Sequence, residues 1–198
     1  MKDLIVLCAD KMIENTIDGL LGRTAALRIR QINYDIKVHA HRDPGCFHHA
    51  HSFLRPLRLQ YDYALVVFDR DWDGAPSQSA EALEAAANTR LKADWGDKAA
   101  SVVISPELES WVWSDSPHVE SELGWPSCFG DLRGWLEGKG LWSAGADKPA
   151  DPKKAVEVAT RKAKVPWTAA VGRGLAAKVS VERSTDGAFQ KLKAILNG

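Results

Sequence analysis

The sequence predicts an α/β protein in which a parallel sheet is flanked by helices and a mostly helical, tryptophan-rich extension follows. Two observations carry this. Short β-prone apolar runs at 4–8, 64–68 and 100–105 alternate with longer segments of helical character, the spacing of parallel strands joined by crossover helices. Beyond Glu107, Trp111, Trp113, Trp125, Trp135 and Trp142 crowd into a stretch punctuated by Gly and Pro, which reads as an irregular cap held by aromatic packing. An α/β core over 1–115 and a helical, basic extension over 116–198 follow, packed as one compact unit.

Taken in order, Leu4 to Cys8 reads as a first buried strand, Asp10 to Glu14 as a polar loop, and Ile17, Leu20 and Leu21 as a helical face. Residues 27–32 are ambiguous, and Tyr34 to His39 alternates like a short second strand. Arg42-Asp43-Pro44-Gly45 reads as a turn, and a helix from His49 to Leu59 is expected to bend or break near Pro56. Ser77 to Asp94 is a helix with Ser77 or Ser79 as its cap, and the strand 100–105 stops at Pro106. Pro152 suits the first turn of a further helix, and Ala188 to Leu196 forms a final amphipathic one.

Composition narrows the class. With 198 residues, 45% of them hydrophobic, the chain can bury one sizeable core. No apolar run reaches the roughly eighteen residues of a membrane span, and the opening residues turn acidic too soon for a signal peptide. Three cysteines without CxxC spacing fit a reducing compartment. A cytoplasmic protein without membrane partners is expected. Formal charge is zero, yet residues 148–198 hold eleven Lys/Arg against four Asp/Glu, an acidic body with a basic tail. That tail is either a polyanion-binding element or a solvated face packed on the acidic part.

The chemistry concentrates at the end of the second long apolar run. There Asp69, Asp71 and Asp73 precede Gly74, and alternation in an extended backbone would bring Asp69 and Asp71 to one side, with Arg70 on the other. Crowded carboxylates need a cation, a proton or a basic neighbour, and a hard divalent metal is the simplest candidate. A calcium EF-hand loop needs a Glu at its twelfth position, here Ala80, and entry from a helix. A haloacid-dehalogenase-like phosphatase carries its DxD on the opening strand, whereas about sixty residues precede it here.

An opening strand with an acid in the following loop, a later strand ending in DxD, and a strand ending in Pro106-Glu107-Leu108-Glu109-Ser110-Trp111 together resemble the Toprim fold. More narrowly, the chain resembles small Toprim-like proteins of prokaryotic defence loci, related to RloB-like and OLD-like nucleases. The resemblance rests on Leu4 to Glu14, Val66 to Gly74 and Ser105 to Trp111, with weaker echoes at Pro152 to Ala155 and Ser184 to Leu192. It implies Mg²⁺- or Mn²⁺-dependent hydrolysis of nucleic-acid phosphodiesters in anti-phage defence, with Asp69, Asp71, Asp73 and Glu14 at the metal. Asp10 or Glu14 would supply the first-loop carboxylate, since Ala9 stands where the family usually has Glu; Glu14 is favoured. The competing implication is a Toprim-like subunit that has lost its chemistry and binds within a defence complex.

Glu109 and Glu107 can complete the acidic cluster, or they can simply open a helix after Pro106. Lys11, Lys153 and Lys154 are candidate phosphate contacts. Five of the six histidines lie between His39 and His51; hydrogen-bonded or surface roles compete with a zinc site or a general base. Other defence proteins and a second copy of the chain are the expected protein partners.

Overall fold

The computed structural model describes residues 1–197. In chain order the elements are β1 (Lys2–Cys8), α1 (Lys11–Leu21), α2 (Thr24–Leu27), β2 (Tyr34–Val38), α3 (Arg42–Leu54), β3 (Tyr61–Asp69), α4 (Ala80–Trp95) and β4 (Ala99–Ile104). The second half adds α5 (His118–Glu122), α6 (Leu132–Gly138), α7 (Pro152–Ala163), α8 (Ala169–Lys178) and α9 (Gly187–Asn197). The molecule is an α/β protein: four strands in the order β2-β1-β3-β4, all parallel. Among the described residues no helix is long and apolar enough to cross a membrane.

The apolar runs become the strands because helices cover both faces. Ile5 to Cys8 and Val66 to Phe68 are wholly buried in the middle of the sheet. Helices α3 and α4 pack together, α3 on β1 and β3 and α4 on β4, while α1 lies on β1 and β2 and packs against α8. The inward face of α1 holds Ile13, Ile17, Leu20 and Leu21, each contributing about 1.5–3 kcal/mol on burial. Its crossing with α8 is close: a Cβ added at Gly19 would lie 2.9 Å from the carbonyl oxygen of Arg173. Even alanine there must push the two helices apart.

Strand β4 is an edge, and α4 covers it chemically. The amide of Ser101 donates to Asn88 Oδ1 (2.7 Å) and that of Val103 to Glu84 Oε2 (3.2 Å), so two outward N–H groups are satisfied by side chains. Lys191 of α9 pairs with that same Glu84. No new strand can add there without displacing these bonds.

One expectation changes, and two hold with shifted bounds. The Arg42-Asp43-Pro44-Gly45 segment is the first turn of α3 and not a free turn, with Pro44 tolerated there because first-turn amides have no helical partner. Helix α3 ends at Leu54, and Pro56 lies in the 3₁₀ turn Arg55–Leu57 that follows. Helix α4 starts at Ala80 under Ser79, whose hydroxyl accepts from the amide of Ala82.

The tryptophans do more than fasten a cap to the body. Trp113, Trp125 and Trp142 are buried in a second apolar cluster with Leu123, Leu132, Leu136, Val156 and Leu175. Trp113 meets Trp142 edge-on at 5.4 Å, and the indole N–H of Trp113 donates to the carbonyl of Pro152 (3.0 Å). Trp111 instead packs edge-on against Phe189 of α9 and belongs to the sheet's core. The second cluster thus begins at Val112, and α9 returns to the first through Phe189 and Leu192.

Candidate active site at the carboxyl ends of the strands

The chain runs from β1 to β2 on one side of β1 and then returns to place β3 on the other. The crevice at this reversal lies beyond the ends of β1 and β3, where Cys8 is opposite Val67. Asp69 is the last residue of β3, level with Ile104 at the end of β4. Its Oδ1 is buried without a hydrogen-bond partner.

Four other carboxylates act on it through space. Burial, followed by the negative charges of Asp43, Glu109, Asp10 and Glu107, raises the Asp69 carboxyl well above the ordinary range. Asp43 comes from the first turn of α3, and its Oδ1 accepts the Asp69 amide at 2.9 Å. Burial raises Asp43 also, against the opposing effect of that amide. Glu109 is buried; desolvation raises its carboxyl, while the Trp167 indole, donating to Oε1 at 3.0 Å, pulls the other way. Glu107 accepts from Lys153 Nζ at 2.9 Å. That hydrogen bond is the main reason the lysine is raised, with the charges of Glu109 and Asp69 adding to it.

The candidates from the sequence therefore divide. Asp10, Asp69, Glu107, Glu109 and Lys153 meet at this crevice. Asp10 is also the N-cap of α1, accepting from the amide of Ile13 at 2.9 Å. Asp71 does not turn in beside Asp69: its side chain is 60% exposed and accepts from Arg70 at 3.0 Å. The cause is Trp72, whose ring packs on Phe47 and Phe68 and turns the residues on either side of it outward. Asp73 is exposed in the following turn. Glu14 pairs with Lys11 along one face of α1, and its charge, with that of Asp10, acts on Cys8 at the end of β1, whereas the charges acting most on Asp69 are those of Asp43, Glu109, Asp10 and Glu107. Lys154 is exposed, its amide capped by Asp151.

Asp43 is the residue that sequence reasoning passed over. Its signal was present: an Asp directly before Pro at the opening of a helical segment is a first-turn acid. Nearby, His39 is buried, and its Nδ1 accepts the amide of His41 at 3.0 Å. Burial holds its pKa below the usual histidine value. Its ring lies against α3 so closely that a Cβ at Gly45 would overlap it.

The donor set at the crevice suits a hard divalent ion: the carboxylates are all oxygen, and one buried oxygen has no partner. The coordination shell is not preassembled, for among the described residues no three His, Cys, Asp or Glu side chains are grouped to hold an ion. Comparison with protein-family models, with curated proteins and with solved structures finds no match.

Proposed function

We propose that the chain is a Toprim-like phosphodiesterase of nucleic acid that uses Mg²⁺ or Mn²⁺ at Asp69. The observation supporting this is the unpartnered, buried Oδ1 of Asp69 among four further carboxylates and one lysine. Such crowding is costly for stability and is relieved by a bound cation. Asp69, Asp43 and Asp10 would hold the ion, which supplies charge for a phosphoryl oxygen and lowers the pKa of a bound water.

The protein's own groups have separable parts. Asp43 fixes the orientation of the β3 tip through the Asp69 amide. Lys153, beside Glu107, carries the positive charge that a phosphate oxygen needs on approach. Glu109, buried and braced by Trp167, keeps a proton more readily than an exposed glutamate and is suited to pass one to a leaving oxygen. Anti-phage defence, defence-protein partners, self-association and a cytoplasmic site of action belong to the proposal on the sequence resemblance.

The second reading, a binding subunit without catalysis, draws on the unassembled metal shell and on the engagement of Asp10 as a cap and Glu14 with Lys11. Plasmid, single-stranded DNA and RNA incubated with Mg²⁺, Mn²⁺ or EDTA decide between them. Metal-dependent cleavage that disappears in Asp69→Ala supports the enzyme. No cleavage with any substrate and metal supports the subunit.

A further inference from the structure

Helix α7 is pinned to the candidate site at both ends. Lys153 in its first turn donates to Glu107 at 2.9 Å, and Trp167, four residues past its last, donates to Glu109 at 3.0 Å. Its inward face, Ala155, Val156, Ala159 and Thr160, is buried in the tryptophan cluster. The outward face and the residues just after it carry Lys153, Lys154, Arg161, Lys162 and Lys164, all exposed, with Glu157 as the lone acid of the helix.

These cations differ from four other basic residues of the C-terminal region, though Arg183 and Lys193, elsewhere on the surface, are likewise without a carboxylate partner among the described residues. Lys148, Arg173, Lys178 and Lys191 are each held by a carboxylate: Asp186, Asp18, Glu122 and Glu84. Among the described residues, no carboxylate lies within 4.0 Å of Lys154, Arg161, Lys162 or Lys164, and only Lys153 at the site end is paired. Lys162 instead lies 4.5 Å over the ring of Phe129, which is still 38% exposed. Unpaired cations beside an exposed aromatic, leading away from a carboxylate cluster, are suited to phosphates and unstacked bases.

We propose that the outward face of α7, with Phe129, is a binding track for single-stranded nucleic acid that delivers a phosphodiester to the Asp69 crevice. The direction of the track rests on the phosphodiesterase reading; its affinity for a strand does not. Twelve residues of helix span about 18 Å, the length of roughly five stacked nucleotides. The cations contact the backbone, and Phe129 offers a ring to a base. A duplex offers no free base face to Phe129, which selects single strands.

The test is fluorescence anisotropy with a labelled oligothymidine of about twenty nucleotides and a duplex of equal length, titrated across salt concentrations. Hydrolysis of bis(p-nitrophenyl) phosphate with Mn²⁺ is followed in parallel. The double variant Arg161→Glu/Lys164→Glu is expected to weaken strand binding roughly tenfold or more and flatten its salt dependence, leaving turnover of the small diester unchanged. Glu157→Gln should tighten binding, and Phe129→Ala should weaken the single strand roughly fivefold with less effect on duplex. Strand affinity unchanged in the double variant, or duplex bound as tightly as single strand, would overturn the proposal. Failure of the wild type to cleave either the small diester or any nucleic acid with Mg²⁺ or Mn²⁺ removes the catalytic reading instead, while the affinity measurements still decide the track.

Discussion

The two ends of the sheet treat acidic residues in opposite ways. At the amino ends of the strands, four carboxylates each have their own cation: Asp35 with Lys2 at 2.7 Å, Asp3 with Arg30, Asp94 with Arg55 at 3.6 Å and Asp97 with Lys92 at 2.9 Å. The hydrogen bond from Arg30 lowers Asp3, and that from Lys2 lowers Asp35. At the carboxyl ends, of Asp10, Asp43, Asp69, Glu107 and Glu109 only Glu107 has a paired cation, Lys153, and burial raises Asp43, Asp69 and Glu109. Charges that are matched one to one add a little stability and ask for nothing further. Unmatched, buried charges of one sign are held in place by the rest of the fold and mark where a cation or substrate belongs.

The largest expected break in this contrast is Asp69→Asn. Hydrolysis should fall about a hundredfold or more, while Tm at pH 8 rises by roughly 2–6 °C because a buried, unpaired charge is gone. A raised carboxyl costs stability fully above its folded pKa. The Tm gain should therefore shrink as pH falls through that raised value toward the ordinary carboxylate range. Thermal unfolding of both proteins across pH reads this directly.

Asp43→Asn sharpens the contrast, because the amide oxygen can still accept the Asp69 N–H while the charge is removed. A roughly tenfold loss of hydrolysis with a rise in Tm at pH 8 smaller than that of Asp69→Asn is expected; Asp43→Ala, which removes the acceptor too, should lower Tm by roughly 2–4 °C. At the opposite end, Asp35→Asn should destabilise by less than about 1 kcal/mol, since its ion pair is partly exposed and screened by solvent. The sign there is reversed. A lowered carboxyl contributes stability above the ordinary carboxylate pKa and loses it as pH falls through the lower folded value. The smallest effect belongs to Asp71→Ala, within about 0.5 kcal/mol in stability and about twofold in hydrolysis, since its side chain is exposed and paired only with Arg70.

The sheet was legible because three of its strands carry apolar runs on consecutive buried residues, as Val66 to Phe68 shows, while the edge strand β2 was read from alternation. The acidic tip was legible as a place, yet alternation predicted the wrong membership beyond Asp69. That rule considers backbone direction alone, whereas the packing of Trp72 on Phe47 and Phe68 decides which way its neighbours turn. Asp43 was hidden because Asp-Pro-Gly reads locally as a turn; only the packing of α3 on β1 and β3 brings it to the Asp69 amide. Glu14 and Asp10 looked alike four positions apart. The helix cap at Asp10 separates them, leaving Glu14 on a face shared with Lys11. The second core could not be seen as a unit in sequence, since it joins Val112 to Val179 across the four helices α5 to α8 and their connections, whose spacing follows no single period.

Whether the carboxylates about Asp69 take up a divalent cation is measured most directly by thermal unfolding with and without Mg²⁺ or Mn²⁺. Ion binding to the folded state alone raises the Tm of the wild type by an amount that grows with ion concentration. That rise is expected in the wild type and in Asp71→Ala, and is expected to be lost in Asp69→Asn. A wild-type Tm that ignores both ions, or an equal rise in Asp69→Asn, would contradict a metal site at Asp69.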